Sequence, residues 1–348
     1  MSLARPSSVP VGVARVHGGT DARGPARFDF STNSNACGPC PLALQAVQAA
    51  DATRYPDSAY TTVRAQLADW HGVEAWRIVL AGSASEAIFR LTALARQRRA
   101  HRVWLPSPAY GDYGHAAQAW GLEVTTEPAQ ADLLWGCEPA SPTGQTALAW
   151  AAMPPETLPA LACGWAVLDR AYAPMRLAGR SLLSPQALDG VWQLWSPNKT
   201  LGLTGVRAAY AIAPAQAHER AMAMDALAPS WPLGAHGVAL LTAWTTPAVQ
   251  AWVQRSLPIL ADYKAAVAQG LRLRGWQCQP SDTHYFCARP PQAVAPEHLA
   301  ALRQQGIQLR DTTSMGLPGW FRLSAQPADA CQALLQALDG LNATKESA

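Results

Sequence analysis

The chain has 348 residues, with 27 lysines and arginines against 24 aspartates and glutamates and a formal net charge of +3. So balanced a charge argues against nucleic-acid and membrane-surface partners, and at roughly 150 residues per domain the length predicts about two domains. Hydrophobic residues make up 49%, which excludes general disorder, whereas charged residues reach only 15%, so we expect spare apolar surface for a homodimer interface.

No apolar run approaches the roughly 18–20 residues of a membrane helix, and residues 1–16 lack the apolar core of a signal peptide. We therefore expect a cytoplasmic protein without membrane contacts. The seven cysteines are an odd, modest number without metal-ligand spacing, so we expect neither a disulfide framework nor a bound metal.

The elements in the first two thirds of the chain predict a sheet flanked by helices. Residues 1–29 are rich in Gly, Pro, Ser and Arg and predict an irregular arm, and an apolar stretch predicts a helix over 42–50. Short β-rich runs then alternate with helical ones, which predicts β-α-β crossovers and a mainly parallel sheet. The predicted strands are 77–81, 102–105, 122–126, 131–135, 166–168 and 191–195, with helices over 85–99 and 111–120.

Beyond residue 215 the pattern changes. Residues 233–273 predict mostly helix, with breaks near Thr246 and Pro258, and strands at 285–288 and 321–323 precede a helix over 327–338. We predict an α/β fold with a large domain over 41–235, built on a mainly parallel sheet flanked by helices. A smaller α+β domain would combine the arm (1–40) with residues 236–348, which begin with a connecting long helix.

The most informative stretch is Ser196-Pro-Asn-Lys-Thr-Leu-Gly-Leu-Thr-Gly-Val-Arg207, which places Lys199 in a turn after an apolar strand. A lysine in a dry pocket can lose its proton and form a Schiff base with an aldehyde. Hydroxyl and guanidinium groups beside it suit a phosphate. On this motif alone, an ordinary polar surface turn is an equal alternative.

Thirty residues earlier, Trp165-Ala-Val-Leu-Asp-Arg-Ala-Tyr172 ends a predicted buried strand with Asp169. A carboxylate at the end of a parallel strand points into the crevice where α/β proteins bind ligands, although such residues also cap loops. A pyridoxal phosphate enzyme needs a carboxylate against the pyridine nitrogen, because only the protonated ring is a strong electron sink. Asp, Tyr and Lys in this order favour that chemistry.

In these motifs the chain resembles a fold-type I pyridoxal-phosphate enzyme of the class I/II aminotransferase group. The nearest branch is that of histidinol-phosphate aminotransferase and threonine-phosphate decarboxylase, and the resemblance runs in order from His17 to about Leu341. It implies pyridoxal 5'-phosphate as cofactor, a homodimer, and a small amino acid or amine, phosphorylated, as substrate.

The resemblance implies a role for each matching residue. Lys199 would form the Schiff base with the cofactor, Asp169 would pair with the pyridinium nitrogen, and Tyr172 would hydrogen-bond the ring hydroxyl. The other cofactor contacts would be Ser83, Ala84 and Ser85 at a helix N-terminus suited to the phosphate, Tyr110 stacked on the ring, Ser141 at the ring hydroxyl, Ser196 and Arg207 at the phosphate, and Tyr55 from the neighbouring subunit. The substrate contacts would be Arg322, Arg310, His17 and Asn33.

Two departures from the family pattern affect the cofactor site. Glu138-Pro-Ala-Ser-Pro-Thr-Gly144 stands where the family usually has Asn-Pro-Asn-Asn-Pro-Thr-Gly, so the shorter Ser141 replaces an asparagine that donates to the ring hydroxyl. The phosphate turn Gly82-Ser-Ala-Ser85 lacks a glycine that the family often carries. These changes bear on cofactor affinity and rate and leave the reaction class intact.

The arm bears on the substrate. His17-Gly-Gly and Asp29-Phe-Ser-Thr-Asn-Ser-Asn35 resemble threonine-phosphate decarboxylases, which favours decarboxylation of L-threonine-O-3-phosphate, as in cobalamin biosynthesis. A histidinol-phosphate-type or other aminotransferase that uses a 2-oxo acid is the alternative. The bond that breaks at the α carbon is the one perpendicular to the cofactor ring, and the sequence does not determine which bond that is.

Two further alternatives for the function belong to other classes of protein. Cys37-Gly-Pro-Cys40 has the spacing of a thioredoxin-type redox site, but no strand precedes it, and it also matches the Asn-x-x-Gly-Pro-x-Pro turn of aminotransferases. The serine at position 141 motivates the second, a protein that binds the cofactor without turnover. The intact Lys199, Asp169 and Arg207 count against it.

Overall fold

A computed structural model describes residues 17–146, 165–293 and 296–346. Its helices are α1 (Pro41–Gln48), α2 (Thr61–His71), α3 (Ala84–Gln97), α4 (Gly111–Ala119), α5 (Pro185–Leu188), α6 (His218–Ala226), α7 (Ala235–Trp244), α8 (Pro247–Arg272), α9 (Pro296–Gln304) and α10 (Ala328–Glu346). Its strands are β1 (Phe28–Asp29), β2 (Ile78–Ala81), β3 (Arg102–Trp104), β4 (Glu123–Thr125), β5 (Leu133–Cys137), β6 (Ala166–Asp169), β7 (Trp192–Trp195), β8 (Ala209–Ile212), β9 (Gln277–Cys278), β10 (Tyr285–Arg289), β11 (Ile307–Gln308), β12 (Arg310–Asp311) and β13 (Phe321–Ser324).

The large sheet has seven strands in the order β2-β8-β7-β6-β5-β3-β4. The five strands from β7 to β4 run parallel, and β8 is antiparallel to both β7 and β2. Every residue of β5, β6 and β7 is buried, because apolar side chains and helices cover both faces of the sheet. The predicted α/β fold with a mainly parallel sheet is confirmed.

The strand directions bring the polar motifs to one edge of this sheet. Strand β5 ends before the 138–144 turn, β6 ends at Asp169, and β7 ends one residue before Ser196. Strand β2 is antiparallel to β8, as β7 is, so its carboxyl end before Gly82 lies at the same edge. Ligands of open α/β sheets bind at this edge.

The C-terminal part contains a four-stranded antiparallel sheet in the order β12-β13-β10-β9. Its core includes Phe286 and Phe321 from the sheet, Leu271 from α8 and Leu334 from α10. The arm also belongs to this region, because β1 pairs in parallel with β11. The N-terminal and C-terminal ends of the described chain therefore pack together.

The prediction of a helix break near Pro258 is wrong, since α8 runs unbroken from Pro247 to Arg272. A proline cannot donate to the carbonyl four residues earlier, but Gln254 and Pro258 are both exposed, so water can pair with that carbonyl. The predicted break at Thr246 is confirmed, because its side chain caps the N-terminus of α8. No helix in the described ranges is both long and apolar enough to cross a membrane.

Candidate active site

A cavity of about 230 Å³ opens at the carboxyl edge of the large sheet. It brings together all the residues singled out from the sequence except Tyr55 and Arg310. These are Ser83, Ala84, Ser85, Tyr110, Ser141, Asp169, Tyr172, Ser196, Lys199, Arg207, Arg322, His17 and Asn33. Side chains far apart in the sequence therefore share one site.

Lys199 is one of only three lysines in the sequence. Its ammonium group lies 5.6 Å from the ring centroid of Tyr172, inside the cavity. The ammonium of Lys264 instead donates to the carbonyl oxygens of Ser281 and Thr283, at 2.6 and 2.9 Å. Between Lys199 and Lys264, Lys199 is therefore the lysine placed to react with the aldehyde of a ligand.

The turn that carries Lys199 is held by the segment around the two spaced cysteines. The Cys40 amide donates to the Leu201 carbonyl at 2.8 Å, and the Asn35 amide donates to the Lys199 carbonyl at 2.9 Å. A Cβ atom on Gly38 would lie 3.1 Å from the Cα atom of Gly202, so the two turns pack backbone against backbone. The Cys37–Cys40 segment thus supports the lysine turn.

The thiols of that segment do not have the environment of a redox site. Cys40 is fully buried, and burial raises the pKa of the half-buried Cys37. A redox cysteine requires the opposite, an accessible thiol with a lowered pKa. The environment of these two thiols therefore does not fit a thioredoxin-type redox site.

Asp169 lies 95% buried at the base of the cavity. One carboxylate oxygen, Oδ2, accepts a hydrogen bond from the Tyr113 hydroxyl at 2.7 Å, and Oδ1 accepts one from the Ala171 amide at 2.9 Å. Burial raises the pKa of Asp169, and the two hydrogen bonds oppose that rise. A buried carboxylate is costly without a partner cation, so this site suits a protonated ring nitrogen.

Tyr113 is a residue that sequence reasoning missed. It is fully buried in α4 and stacks on Trp135, with ring centroids 4.8 Å apart and an interplanar angle of 12°. Tyr113 lies three residues after Tyr110, the N-cap of α4, so both side chains leave the same end of the helix. The two tyrosine rings indeed meet edge to face at 5.6 Å.

A second group of cavity residues suits a phosphate. Ser83 caps α3, its hydroxyl accepting from the Glu86 amide at 3.0 Å, so Ala84 and Ser85 lie in the first turn, where backbone N–H groups lack helical partners. Arg207 adds a cation, and the Ser196 hydroxyl is held by Asn198 at 2.9 Å. Backbone donors, hydroxyls and a guanidinium are the groups that bind phosphates.

Arg322 and Asn33 form a buried polar part of the cavity lining. The guanidinium of Arg322 donates to the Ser31 carbonyl at 2.7 Å and to the Ser141 hydroxyl at 3.3 Å, while its Nε has no partner in the described structure. Asn33 is 1% exposed, and neither its side-chain oxygen nor its nitrogen has a hydrogen-bond partner among the described residues. Unpaired buried polar atoms are costly, so this end of the cavity suits a polar ligand.

The residue at position 138, where the family usually has asparagine, holds the turn before Ser141. Glu138 is 3% exposed and forms an ion pair with Arg176 at 2.6 Å. It also accepts hydrogen bonds from the Ser181 hydroxyl and the Leu182 amide. The buried carboxylate thus anchors this turn to the segment that follows Tyr172.

Two predicted site residues lie outside the cavity. Arg310 is buried beside it, opposite Arg322 in the β12–β13 pairing, and donates to Ser314 at 3.0 Å. Tyr55 is 77% exposed and stacks on Trp231, with ring centroids 4.3 Å apart. Tyr55 does not reach the cavity of its own chain, so its expected role requires a second subunit.

The donor set fits pyridoxal 5'-phosphate. A lysine amine faces the cavity for the aldehyde, a buried carboxylate for the ring nitrogen, and hydroxyls of Tyr172 and Ser141 for the ring oxygen. The cup formed by the first turn of α3 and Arg207 matches the charge of the phosphate group.

Comparison with known proteins gives the same result. The profile of the family described as "Aminotransferase class I and II" matches residues 27–338. A histidinol-phosphate aminotransferase of Jannaschia sp. (strain CCS1) is 26% identical over 327 residues, covering 88% of this chain and 89% of that protein.

Two solved structures share the fold. The L-threonine-O-3-phosphate decarboxylase of Porphyromonas gingivalis has a TM-score of 0.74 at 19% identity, covering 90% of this chain and 98% of that one. The histidinol-phosphate aminotransferase of Sinorhizobium meliloti, in complex with pyridoxal-5'-phosphate, has a TM-score of 0.72 at 20% identity and covers 88% of each chain. This chain belongs to the class I and II aminotransferase family, the fold-type I enzymes that depend on pyridoxal 5'-phosphate.

Proposed function

We propose that this enzyme acts on a small phosphorylated amino acid and decarboxylates L-threonine-O-3-phosphate. The observation that carries the proposal is the substrate end of the cavity. There Arg322, the unpaired amide of Asn33 and the imidazole of His17 surround the space beyond Lys199. Two side chains that can carry positive charge and one amide suit a substrate with both a carboxylate and a phosphate.

The chain's own residues hold the reactants and move the protons. Bound in the cavity, pyridoxal 5'-phosphate supplies an electron sink for the bond that breaks at the substrate α carbon. Asp169 holds the proton on the ring nitrogen, and Lys199 is placed to move a proton at the α carbon. Arg322 binds an anionic group of the substrate and so fixes which α-carbon bond stands perpendicular to the ring.

Arg310 would act beside Arg322 as a second anchor. Arg310 on β12 lies directly opposite Arg322 on β13 in the antiparallel register. Burial, together with the charge of Arg322, lowers the pKa of Arg310. Two like charges this close favour a dianionic phosphate between or beside them. A rotation of the Arg310 side chain toward the cavity would be needed for direct contact.

We further propose that the active unit is a homodimer in which Tyr55 reaches the phosphate of the partner's cofactor. Tyr55 is exposed in the single chain, and the Trp231 indole donates to the Pro56 carbonyl at 3.0 Å, which holds this pair of rings at the surface. The same segment passes the phosphate turn, since the Pro232 carbonyl oxygen lies 3.1 Å from the Cβ position of Gly82. A cytoplasmic location, as expected from the sequence, is consistent with this chemistry.

Transamination of histidinol phosphate is the second candidate. It is favoured by the named relatives, since the histidinol-phosphate aminotransferase of Jannaschia sp. aligns over 88% of this chain. Both reactions use the same cofactor and a phosphorylated substrate. They differ in the α-carbon bond that breaks, which is the bond to the carboxylate in decarboxylation and the bond to the proton in transamination. Arg322 and the arm would determine which of these bonds stands perpendicular to the ring.

The deciding experiment follows the absorbance of the bound cofactor and carbon dioxide together, with no 2-oxo acid present. With threonine phosphate, we expect carbon dioxide over many turnovers while the absorbance of the bound cofactor persists. A single loss of that absorbance in proportion to enzyme, without carbon dioxide, would show a half-transamination and refute decarboxylation. A Lys199→Ala control should abolish turnover, and full turnover in that variant would overturn the site itself.

A further inference from the structure

A buried carboxylate behind the cavity wall, Asp112, contacts two parts of the site at once. Asp112 is 7% exposed and lies in the first turn of α4, where the helix N-terminus stabilises negative charge. Its Oδ2 accepts a hydrogen bond from the Tyr110 hydroxyl at 2.8 Å, and its Oδ1 lies 3.9 Å from His17 Nε2. One carboxylate therefore faces both the aromatic wall and the arm.

The contact with Tyr110 fixes the aromatic wall. The Tyr110 hydroxyl also lies 3.2 Å from the Ser85 hydroxyl, so its ring is held at the far end by two polar partners. Burial raises the pKa of Tyr110, so the hydroxyl keeps its proton and donates to the carboxylate. The ring face is thereby held toward the cavity.

The arm that carries His17 makes further contacts elsewhere. The Gly19 amide donates to the Ser31 hydroxyl at 2.8 Å, and Gln308 Nε2 donates to the Gly19 carbonyl at 2.7 Å. Arg303 adds an ion pair with Asp21 at 2.9 Å. The last two contacts tie the arm to the C-terminal part of the chain, whereas Asp112 lies on a helix that packs on the large sheet.

We propose that Asp112 is a positioning residue that holds the imidazole of His17 over the cavity and couples the arm to the wall formed by Tyr110. The imidazole and the carboxylate then link the two sides of the site, and the substrate meets an arm that is already in place. The effect on catalysis rests on the proposed role of His17 in substrate binding, but the effect on the arm does not.

The test uses Asp112→Asn, which keeps the size of the side chain and an oxygen for Tyr110 but removes the charge that faces His17. Amide hydrogen exchange over residues 17–24 is measured in the cofactor-free protein, where the substrate plays no part. We expect exchange there to become at least fivefold faster. In the loaded enzyme, KM for threonine phosphate should rise about tenfold with less than a twofold change in kcat, a split that general loss of structure would not produce.

Two further variants sharpen the test. His17→Gln should reproduce both effects, and the double variant should add nothing, because both changes break the same pair. Asp225→Asn is the matched control, since Asp225 is a partly buried carboxylate paired with Arg64 at 2.7 Å away from the arm. Unchanged arm exchange in Asp112→Asn, or equal acceleration in Asp225→Asn, would overturn the proposal. Faster arm exchange in an enzyme that does not use threonine phosphate would refute only the proposed substrate.

Discussion

The hydrogen bond from Tyr113 to Asp169 provides the sharpest prediction about the cofactor site. Replacing Tyr113 by Phe removes a 2.7 Å bond to a buried carboxylate but keeps the ring that stacks on Trp135. A hydrogen bond to a charged group contributes about 1.5–3 kcal/mol, which corresponds to roughly 10- to 150-fold in an equilibrium constant. The bond is also present without cofactor, so we expect the dissociation constant for pyridoxal 5'-phosphate to rise by up to that factor.

The pH dependence gives a second readout of the same change. Burial already raises the pKa of Asp169, and the Tyr113 hydroxyl opposes that rise, so its loss raises the pKa further. Asp169 must be ionised to pair with a protonated ring nitrogen, so as pH falls the variant should lose cofactor affinity at a higher pH than the native enzyme.

The assay is a titration of the cofactor-free protein with pyridoxal 5'-phosphate at several pH values, followed by absorbance. Tyr210→Phe is the control, because Tyr210 is also fully buried and hydrogen-bonded, to His71 and Trp244, yet lies outside the cavity. If Tyr113→Phe binds the cofactor within twofold of the native protein across the pH range, the role assigned to this hydrogen bond is wrong.

Three further predictions test other parts of the structure. A Cβ atom on Gly18 would lie 2.3 Å from the Ser31 carbonyl oxygen, so Gly18→Ala should displace the arm and raise KM, measured by steady-state kinetics. Arg322→Lys cannot keep both the Ser31 and Ser141 bonds, so KM should rise about 10-fold or more, and an unchanged KM would contradict this placement of the substrate. Burial lowers the pKa of His71 to about 3, so between pH 6.5 and 3 the unfolded chain binds a proton that the folded chain does not. As the pH decreases, the free energy of unfolding should therefore fall, and this group lowers it by about 2 kcal/mol at pH 5. Denaturant unfolding at pH 7 and pH 5 should show a smaller decrease for His71→Gln than for the native protein.

Much of the large sheet could be predicted because its strands are short apolar runs between turns. Strand β6 and the lysine turn after β7 were located from the sequence, since a polar residue directly after a buried parallel strand lies at the ligand edge. Strand β8 was missed because its sequence, Ala209-Tyr-Ala-Ile212, is rich in alanine, which favours strands weakly. Tertiary pairing with β2 and β7 makes it a strand.

Helix α2 was missed for a related reason. It buries only Val63, Leu67 and Ala68, and its N-cap, Tyr60, makes no side-chain cap bond. The apolar stripe is narrow and the usual start signal is absent, so the periodicity alone is weak. Packing against β2 and α7 supplies the stability that the local sequence lacks.

Some features of the site could likewise be predicted from the sequence, and others could not. Residues at or shortly after strand ends, such as Asp169 and Lys199, could be placed because the fold fixes their position. The bonds that join distant segments could not, because nothing in the sequence near Glu138 points to Arg176, and nothing near Asp112 points to His17. Such pairs depend on how loops from different strands meet, which is set by the tertiary structure.

The most direct test of the cofactor site is the position at which the cofactor becomes attached. The protein is loaded with pyridoxal 5'-phosphate, reduced with borohydride and digested, and the modified peptide is identified by mass spectrometry. With three lysines in the chain, the map has few possible outcomes. We predict a single modified lysine, Lys199. A label on Lys264 or Lys345, or no label on a protein that binds the cofactor, would contradict it.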